Sequence, residues 1–257
     1  MINLRFLGTG GLGKARLKNK LSKDYRRFAT LLVDEDLIIN PTEDTFEFED
    51  SFMLFGMLKG VKDVFITDSG LEHFSILALE RLAGYGKIRV YASEKLRDEI
   101  STLDNVDFTA VSPFSLVECE GKRVMVLPAN YKSDDPFEDS FNFLIDCGEK
   151  NIFYGLDGAW LNPSAWKVLR EMKLDAVILD CAAGLEEYSE NCINHNNLRM
   201  ATEIRNVMLT SGVAEENTKF ILSHIPTDKK RSIHEDMCLA VEETPFRIAY
   251  DGYFLGI

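Results

Sequence analysis

Short apolar runs separated by turn residues recur along the whole of this sequence. A chain punctuated in this way has few folding options beyond packed β-sheets with helices on their faces. Residues 28–33 and 37–40 flank the acidic turn Asp34, Glu35, Asp36 and read as a hairpin, an antiparallel start that follows an opening strand over 3–7. Further strands are expected over 63–67, 88–92, 106–111, 116–120, 123–128, 141–146 and 151–156, with hairpin turns at Gly121 and Gly148. Helical spacing appears over 76–84, where Ile76, Leu79, Leu82 and Ala83 share a face, and again from Ser93 through Ile100. The pair Asn162–Pro163 is a helix start, with Trp166, Leu169 and Met172 along one side. Residues 175–181 read as a buried strand, 198–209 and 233–241 as helices, and 219–224 and 246–255 as the last strands. The stripe over 46–57 reads as an amphipathic helix whose apolar face suits the core or a homodimer interface. Two successive mixed halves of similar length predict a layered α/β sandwich, with helices outside and two sheets inside.

Composition limits the class. With 257 residues, 46% of them apolar, and no Pro/Gly-rich linker, the chain is expected to form one domain over 1–257. Forty-two acidic against 29 basic side chains give a formal charge of −13, which repels phosphate backbones and anionic lipid. Neither nucleic acid nor membrane is therefore an expected partner; a small molecule is. The basic cluster over 14–27 reads as a solvated loop or helix face. Cys119, Cys147, Cys181, Cys192 and Cys238 are scattered and include no CxxC pair, so no disulfide framework or zinc knuckle is indicated, and a reducing cytoplasm is the expected setting. No apolar run approaches the ~18 residues of a membrane span, and the amino terminus opens on a strand rather than a signal sequence.

Gly8, Gly10 and Gly13 have GxGxxG spacing after the first strand. In a dinucleotide site such glycines admit a pyrophosphate to a helix amino terminus, with an acid such as Asp34 on the ribose. The segment that follows is largely polar and the next strands form a hairpin, so a glycine-rich turn without a nucleotide is the expected reading.

The segment ITDSGLEHF, residues 66–74, lies between a strand and a helix, where α/β proteins place their sites. Several other segments accompany it in order: LRFLGTGG, RRFATLLVDEDLIINPTED, LPANYK with FYGLDG, VILDCAAG, NHNNLRMATEI, ILSHIPTDKK and AYDG. Taken together the sequence resembles the metallo-β-lactamase superfamily, in particular its PhnP-like and RNase Z-like phosphodiesterase branch, over nearly the whole chain. The resemblance implies a four-layer αββα sandwich with a metal site on the loops at one edge, where an activated water attacks a phosphoester or a carbonyl.

The family motif HxHxDH corresponds here to Asp68, Gly70, Glu72 and His73, and the third histidine of the first metal site to Tyr131. The resemblance therefore implies a damaged first site beside a second that persists. Its ligands would be Glu72, His73, Asp157 and His224, with Asp68 adding an oxygen. Two imidazoles with carboxylates suit one zinc, manganese or iron. His195 falls where the family places the proton donor to the leaving group, and Asp157 bridges the site; His195 also reads as a helix-start histidine bonded to a backbone carbonyl, with Asn194 or Asn196 as cap. Asp180 either orients a ligand histidine or caps a turn, and His234 is a surface or supporting residue. Two functions follow: a one-metal hydrolase acting on a small phosphoester or cyclic phosphodiester, or a catalytically silent member that binds a small molecule or a protein.

Overall fold

A computed structural model describes residues 1–11, 17, 19–131, 135, 137–187, 190–227 and 233–257. Fourteen strands form two seven-stranded sheets among the described residues. The first holds β1 (Asn3–Gly8), β2 (Thr30–Val33), β3 (Leu37–Ile39), β4 (Asp63–Phe65), β5 (Ile88–Ala92), β6 (Val106–Ala110) and β14 (Phe254–Gly256), in the order β14-β1-β2-β3-β4-β5-β6. The second holds β7 (Leu116–Cys119), β8 (Lys122–Pro128), β9 (Phe141–Asp146), β10 (Asn151–Gly155), β11 (Leu174–Asp180), β12 (Ala214–Ser223) and β13 (Phe246–Ile248), in the order β13-β12-β11-β10-β9-β8-β7. Helices α1 (Glu43–Ser51), α2 (Ile76–Ala83) and α3 (Arg97–Ile100) accompany the first sheet; α4 (Pro163–Leu169), α5 (Leu198–Thr210) and α6 (His234–Ala240) accompany the second.

Three apolar clusters correspond to the three interfaces of such a stack. Leu31, Val33, Phe65, Val124, Phe143, Ile152 and Ile178 meet between the sheets. Leu32, Ile38, Val64, Leu79 and Leu82 pack the first helical layer, and Val177, Leu179, Ile204, Met208 and Met237 the second. Neighbours along one strand, such as Leu31 and Leu32 or Val177 and Ile178, thus face different interfaces. That explains continuous apolar strands where a one-sided sheet would alternate. The hairpins at Gly121 and Gly148 form as expected, with both glycines at positive φ (73° and 85°).

Several expectations are corrected. The helix of the 46–57 stripe runs from Glu43 to Ser51, opened where Thr45 Oγ1 accepts from Thr42 N–H at 3.0 Å; Met53 and Phe55 beyond it are exposed. Residues 246–255 are not one strand. A turn stabilised by Tyr253 N–H donating to Tyr250 O, with Gly252 at φ 93°, separates β13 from β14 and sends them to different sheets. The glycine run is a turn of close backbone approach: a Cβ on Gly8 would lie 1.9 Å from Phe28 O, and one on Gly11 3.3 Å from the His224 ring. Gly13, and Lys14 to Arg16 and Lys18 of the basic cluster, lie outside the described residues. Of the rest of that cluster, Arg26 and Arg27 are buried rather than solvated. Arg26 donates to Thr9 Oγ1 (3.0 Å) and Ala249 O (2.9 Å), and Arg27 donates to Asp251 Oδ2 (3.1 Å), so the terminal nitrogens of each guanidinium are bonded inside the fold.

His234, read as a surface or supporting residue, is buried at the start of α6, its Nδ1 3.5 Å from Arg26 Nη2 and its ring edge-on to Tyr250. Burial, with the charges of Arg26 and Lys23, lowers its pKa to about 4. The unfolded chain takes up this proton first, near pH 6.5, so the stability it contributes is whole above about 6.5 and is lost as pH falls towards 4. Urea midpoints at about pH 7.5 and pH 5 should therefore drop more for the parent protein than for His234→Gln. An equal drop in both would show that the ring carries no part of the acid sensitivity.

Candidate metal centre

Strands β10, β11 and β12 are mutually parallel, so their carboxyl ends lie at one edge of the second sheet, where α/β folds gather ligands. Asp157 follows β10, Asp180 ends β11 and His224 directly follows β12. From the first sheet, β4 leads into the loop that carries Asp68 and His73. Asp157 and His224 have φ of 52° and 56°, and Asn40, at the end of β3, 54°. Left-handed conformations at three adjoining non-glycine positions are costly, and such strain collects where side chains must be aimed.

Asp157 is the junction. Its Oδ2 lies 3.1 Å from His73 Nε2 and its Oδ1 3.2 Å from His224 Nε2, with all three side chains at about 1% exposure. Yet both Asp157 oxygens, His73 Nε2 and His224 Nε2 are buried without an aligned hydrogen bond. Four converging polar atoms at ion-pair distance, none of them in an aligned hydrogen bond, need an explanation. Their spacing supplies one, because two donors held about 2.1 Å from a common ion stand about 3.0–3.4 Å apart. The donor set itself, two imidazole nitrogens and a carboxylate, fits a divalent transition metal.

The surrounding groups orient these donors. Asp180 Oδ2 lies 2.7 Å from His224 Nδ1 and 3.1 Å from His195 Nδ1, so one carboxylate holds both rings, as outer-shell carboxylates hold metal-binding histidines. Asp180 also accepts from Ala182 N–H and Asn196 N–H, which ties the loop bearing His195 to the strand end. Asn40 accepts from Thr67 N–H (2.9 Å), donates to Thr67 Oγ1 (2.9 Å), and sets its amide nitrogen 3.0 Å from His73 Nδ1. Asp68 accepts from Gly70 N–H at 2.9 Å and from Thr67 Oγ1 at 3.2 Å.

Charge is balanced by protons. Burial works against the ionised form of every group here. Even so, His224 and His73 hold Asp157 far below the usual carboxylate range, and His195 and His224 lower Asp180. Against burial, Asp157 and Asp68 raise His73 to about 10, and Asp180 raises His195 to about 9. Asp68 is raised chiefly by its burial. The proton on His73 thus stands in for a cation, and metal binding there would expel it.

Of the residues expected from sequence, the structure gathers Asp68, His73 and Asp157 into one group and Asp157, His195 and His224, with Asp180, into a second, each with ligand atoms within 4.8 Å of one another. Glu72 stands outside both, its Oε1 3.9 Å from His73 Nε2. His195 Nδ1 pairs with the Asp180 carboxylate rather than with a backbone carbonyl, and Asn197 caps α5. Tyr131 lies against His195, ring centroids 5.6 Å apart. Sequence reasoning missed Asn40 and Glu138; the latter is bonded by Ser69 N–H (2.8 Å) and Ser69 Oγ (2.7 Å) and so fixes the loop that carries Asp68. Asn40 left one trace, an Asn closing a strand, where its tolerance of positive φ is useful.

No family model matches the chain, and no curated protein matches it in sequence. Solved structures do. A diphosphatase of the PhnP family superposes with a TM-score of 0.74 at 18% identity, covering 100% of this chain and 98% of that one. The metallo-β-lactamase fold protein YhfI from Bacillus subtilis gives 0.72 at 12% identity, covering 99% and 98%. Zinc-bound PqqB from Methylobacterium extorquens gives 0.72 at 13% identity, covering 99% and 100%. At these identities the likeness establishes the fold, a metallo-β-lactamase αββα sandwich. Among the described residues, no helix is long and apolar enough to cross a membrane.

Proposed function

We propose that this metallo-β-lactamase-fold chain is a hydrolase that works with a single divalent metal held by His73, Asp157 and His224, with Asp68 within reach. The observation that carries the reading is the set of four buried ligand-type atoms, two of Asp157 and one each of His73 and His224, that converge without an aligned hydrogen bond. Zinc, manganese and iron all suit the donors. When bound, such an ion supplies Lewis acidity and activates water. The substrate class we propose is a small phosphodiester, cyclic or linear, in line with the diphosphatase among the structural neighbours.

His195 supplies the proton. Its Nδ1 is held by Asp180, its side chain is 12% exposed, and Asp180 keeps it protonated at neutral pH, so Nε2–H is available to a leaving group. In the reaction a water oxygen bonds to phosphorus, the bond from phosphorus to the leaving oxygen breaks, that oxygen takes the proton from His195, and the proton that the water gives up restores His195. Asp180 restrains His195 and His224 together, which fixes the donor relative to the metal ligands.

The test is hydrolysis of bis(p-nitrophenyl) phosphate by the metal-supplemented protein and by His195→Gln. The variant should keep its metal, about one ion per chain, and lose about 10²–10⁴-fold in kcat. Loss of the metal along with the rate would place His195 among the ligands instead. An absence of hydrolysis with metal bound would overturn the proposed activity.

A further inference from the structure

The loop between Asp68 and His73 lifts one leucine into solvent. Leu71 is 85% exposed, yet the turn that carries it is pinned: Gly70 O accepts from His73 N–H (2.8 Å) and Phe74 N–H (2.9 Å), Asp68 accepts from Gly70 N–H, and Glu138 from Ser69 N–H. The exposure is therefore built into the fold, and the side chain is held ready for contact. Leu77 is a second case. It is 57% exposed on the outer face of α2, whose Ala78, Leu79 and Leu82 are buried. One exposed leucine needs no explanation; two flanking a single cavity beside a candidate centre do.

That cavity has a volume of about 400 Å³, and Phe28, Leu71, Phe74, Ile76 and Leu77 form its apolar wall. Phe28 and Leu71 also line a second cavity, which includes Asp68 of the first donor group, so the two adjoin along these side chains. A molecule held at the centre can thus extend past Leu71 towards Leu77. Charge narrows what the far end accepts. Glu43 and Asp44 line the apolar cavity as well, and both are partnered, Glu43 accepting from Ser75 Oγ (2.7 Å) and Asp44 from Phe28 N–H (3.1 Å). They need no cation from a ligand, and their charge turns an anion away. What the cavity offers is apolar surface, the usual lining of a small-molecule site.

We infer that this groove holds an uncharged apolar arm of the substrate, the carbon chain or ring of one esterified alcohol, against Leu71, Phe74 and Leu77. The inference rests on the phosphodiester reading for the point to which the arm is attached. Binding of the arm itself depends on neither the metal nor the reaction. Leu71 and Leu77 are then specificity-determining residues, and the substrate becomes a diester of an apolar alcohol.

Titration of the full-length protein with N-phenyl-1-naphthylamine, an uncharged probe whose emission rises in apolar surroundings, tests the groove without metal or turnover. One molecule should bind per chain, and Leu71→Ser and Leu77→Ser should each weaken it at least about tenfold. Both side chains are exposed, so neither variant endangers the fold. With metal supplied, hexyl p-nitrophenyl phosphate should have a KM at least about tenfold below that of methyl p-nitrophenyl phosphate, and Leu71→Ser should erase the difference. Absence of probe binding, probe binding indifferent to either variant, or equal KM values for the two diesters would overturn the inference. So would a homodimer, seen by sedimentation equilibrium, that excludes the probe and dissociates in both variants, because the groove would then be an interface between copies. Failure of the hydrolase reading is seen separately, as absence of metal or hydrolysis while the probe still binds against Leu71 and Leu77.

Discussion

Asp157→Asn should bring metal content from about one ion per chain to nearly none, and phosphodiester hydrolysis to the uncatalysed level. Asp157 is the one residue common to both donor groups, and its two oxygens face His73 and His224 at 3.1 and 3.2 Å. The substitution removes the charge and keeps the shape. Asparagine also tolerates the left-handed backbone of position 157, at φ 52°, so strain does not confuse the outcome. Loss of an outer partner of a metal ligand alone costs about 10–100-fold, and loss of the shared ligand should exceed that. Metal content by mass spectrometry and rate on the same preparation, with the circular dichroism spectrum as a control for folding, decide it. A variant that retains both metal and rate would mean that the ion, if bound, lies elsewhere.

The largest effect on stability is expected at Arg27. Its side chain is 1% exposed; Nη1 donates to Asp251 Oδ2 at 3.1 Å and Nη2 to Ser51 Oγ at 2.9 Å, and Glu47 lies 3.2 Å away. Asp251 is wholly enclosed and also accepts from Arg27 N–H and Thr9 Oγ1. Burial already pushes the Asp251 carboxyl up to about 6, with Arg27 opposing the rise. Arg27→Met would leave that carboxylate without its ion-paired counter-charge and with only the more weakly acting Arg26 nearby, at a cost of about 3–5 kcal/mol, against a total stability of about 5–15 kcal/mol for a typical domain. Since a raised folded-state pKa means that the ionised form is the disfavoured one, the loss should grow as pH rises through the titration of Asp251. The double variant Arg27→Met with Asp251→Asn should recover part of the loss by removing the stranded charge. Urea unfolding measures all three; a cost below about 1 kcal/mol for Arg27→Met would show the pair to be ornamental to the fold.

These two residues also mark how far the sequence could be read. The sandwich was legible because its strands carry apolar side chains on both faces, as Leu31 with Leu32 and Val177 with Ile178 show, and because Gly121 and Gly148 punctuate two of its hairpins. Those signals are local. The burial of Arg27 depends on Asp251, 224 positions away, and no local pattern separates such an arginine from a solvated one. The division of residues 246–255 between two sheets likewise follows from a turn whose Asp251 is anchored by that distant guanidinium.

The candidate centre was legible in outline. Histidines and carboxylates at strand ends could be picked out, and His73, Asp157, His195 and His224 do converge. What spacing could not settle was direction. Glu72 and His73 are adjacent in sequence, yet only His73 falls within a donor group, and Glu72 stands 3.9 Å from its ring. Asn40 and Glu138 escaped notice because each acts on a residue far along the chain, Asn40 on His73 and Glu138 on Ser69. Asp180 was seen as able to orient one histidine; the structure places two on the same oxygen.

Anomalous diffraction from crystals grown with manganese or zinc tests the central claim most directly, because it locates the ion as well as counting it. The account predicts one anomalous peak bounded by His73, Asp157 and His224, at about full occupancy. No peak at saturating metal, or a peak bounded by none of these three side chains, would contradict it.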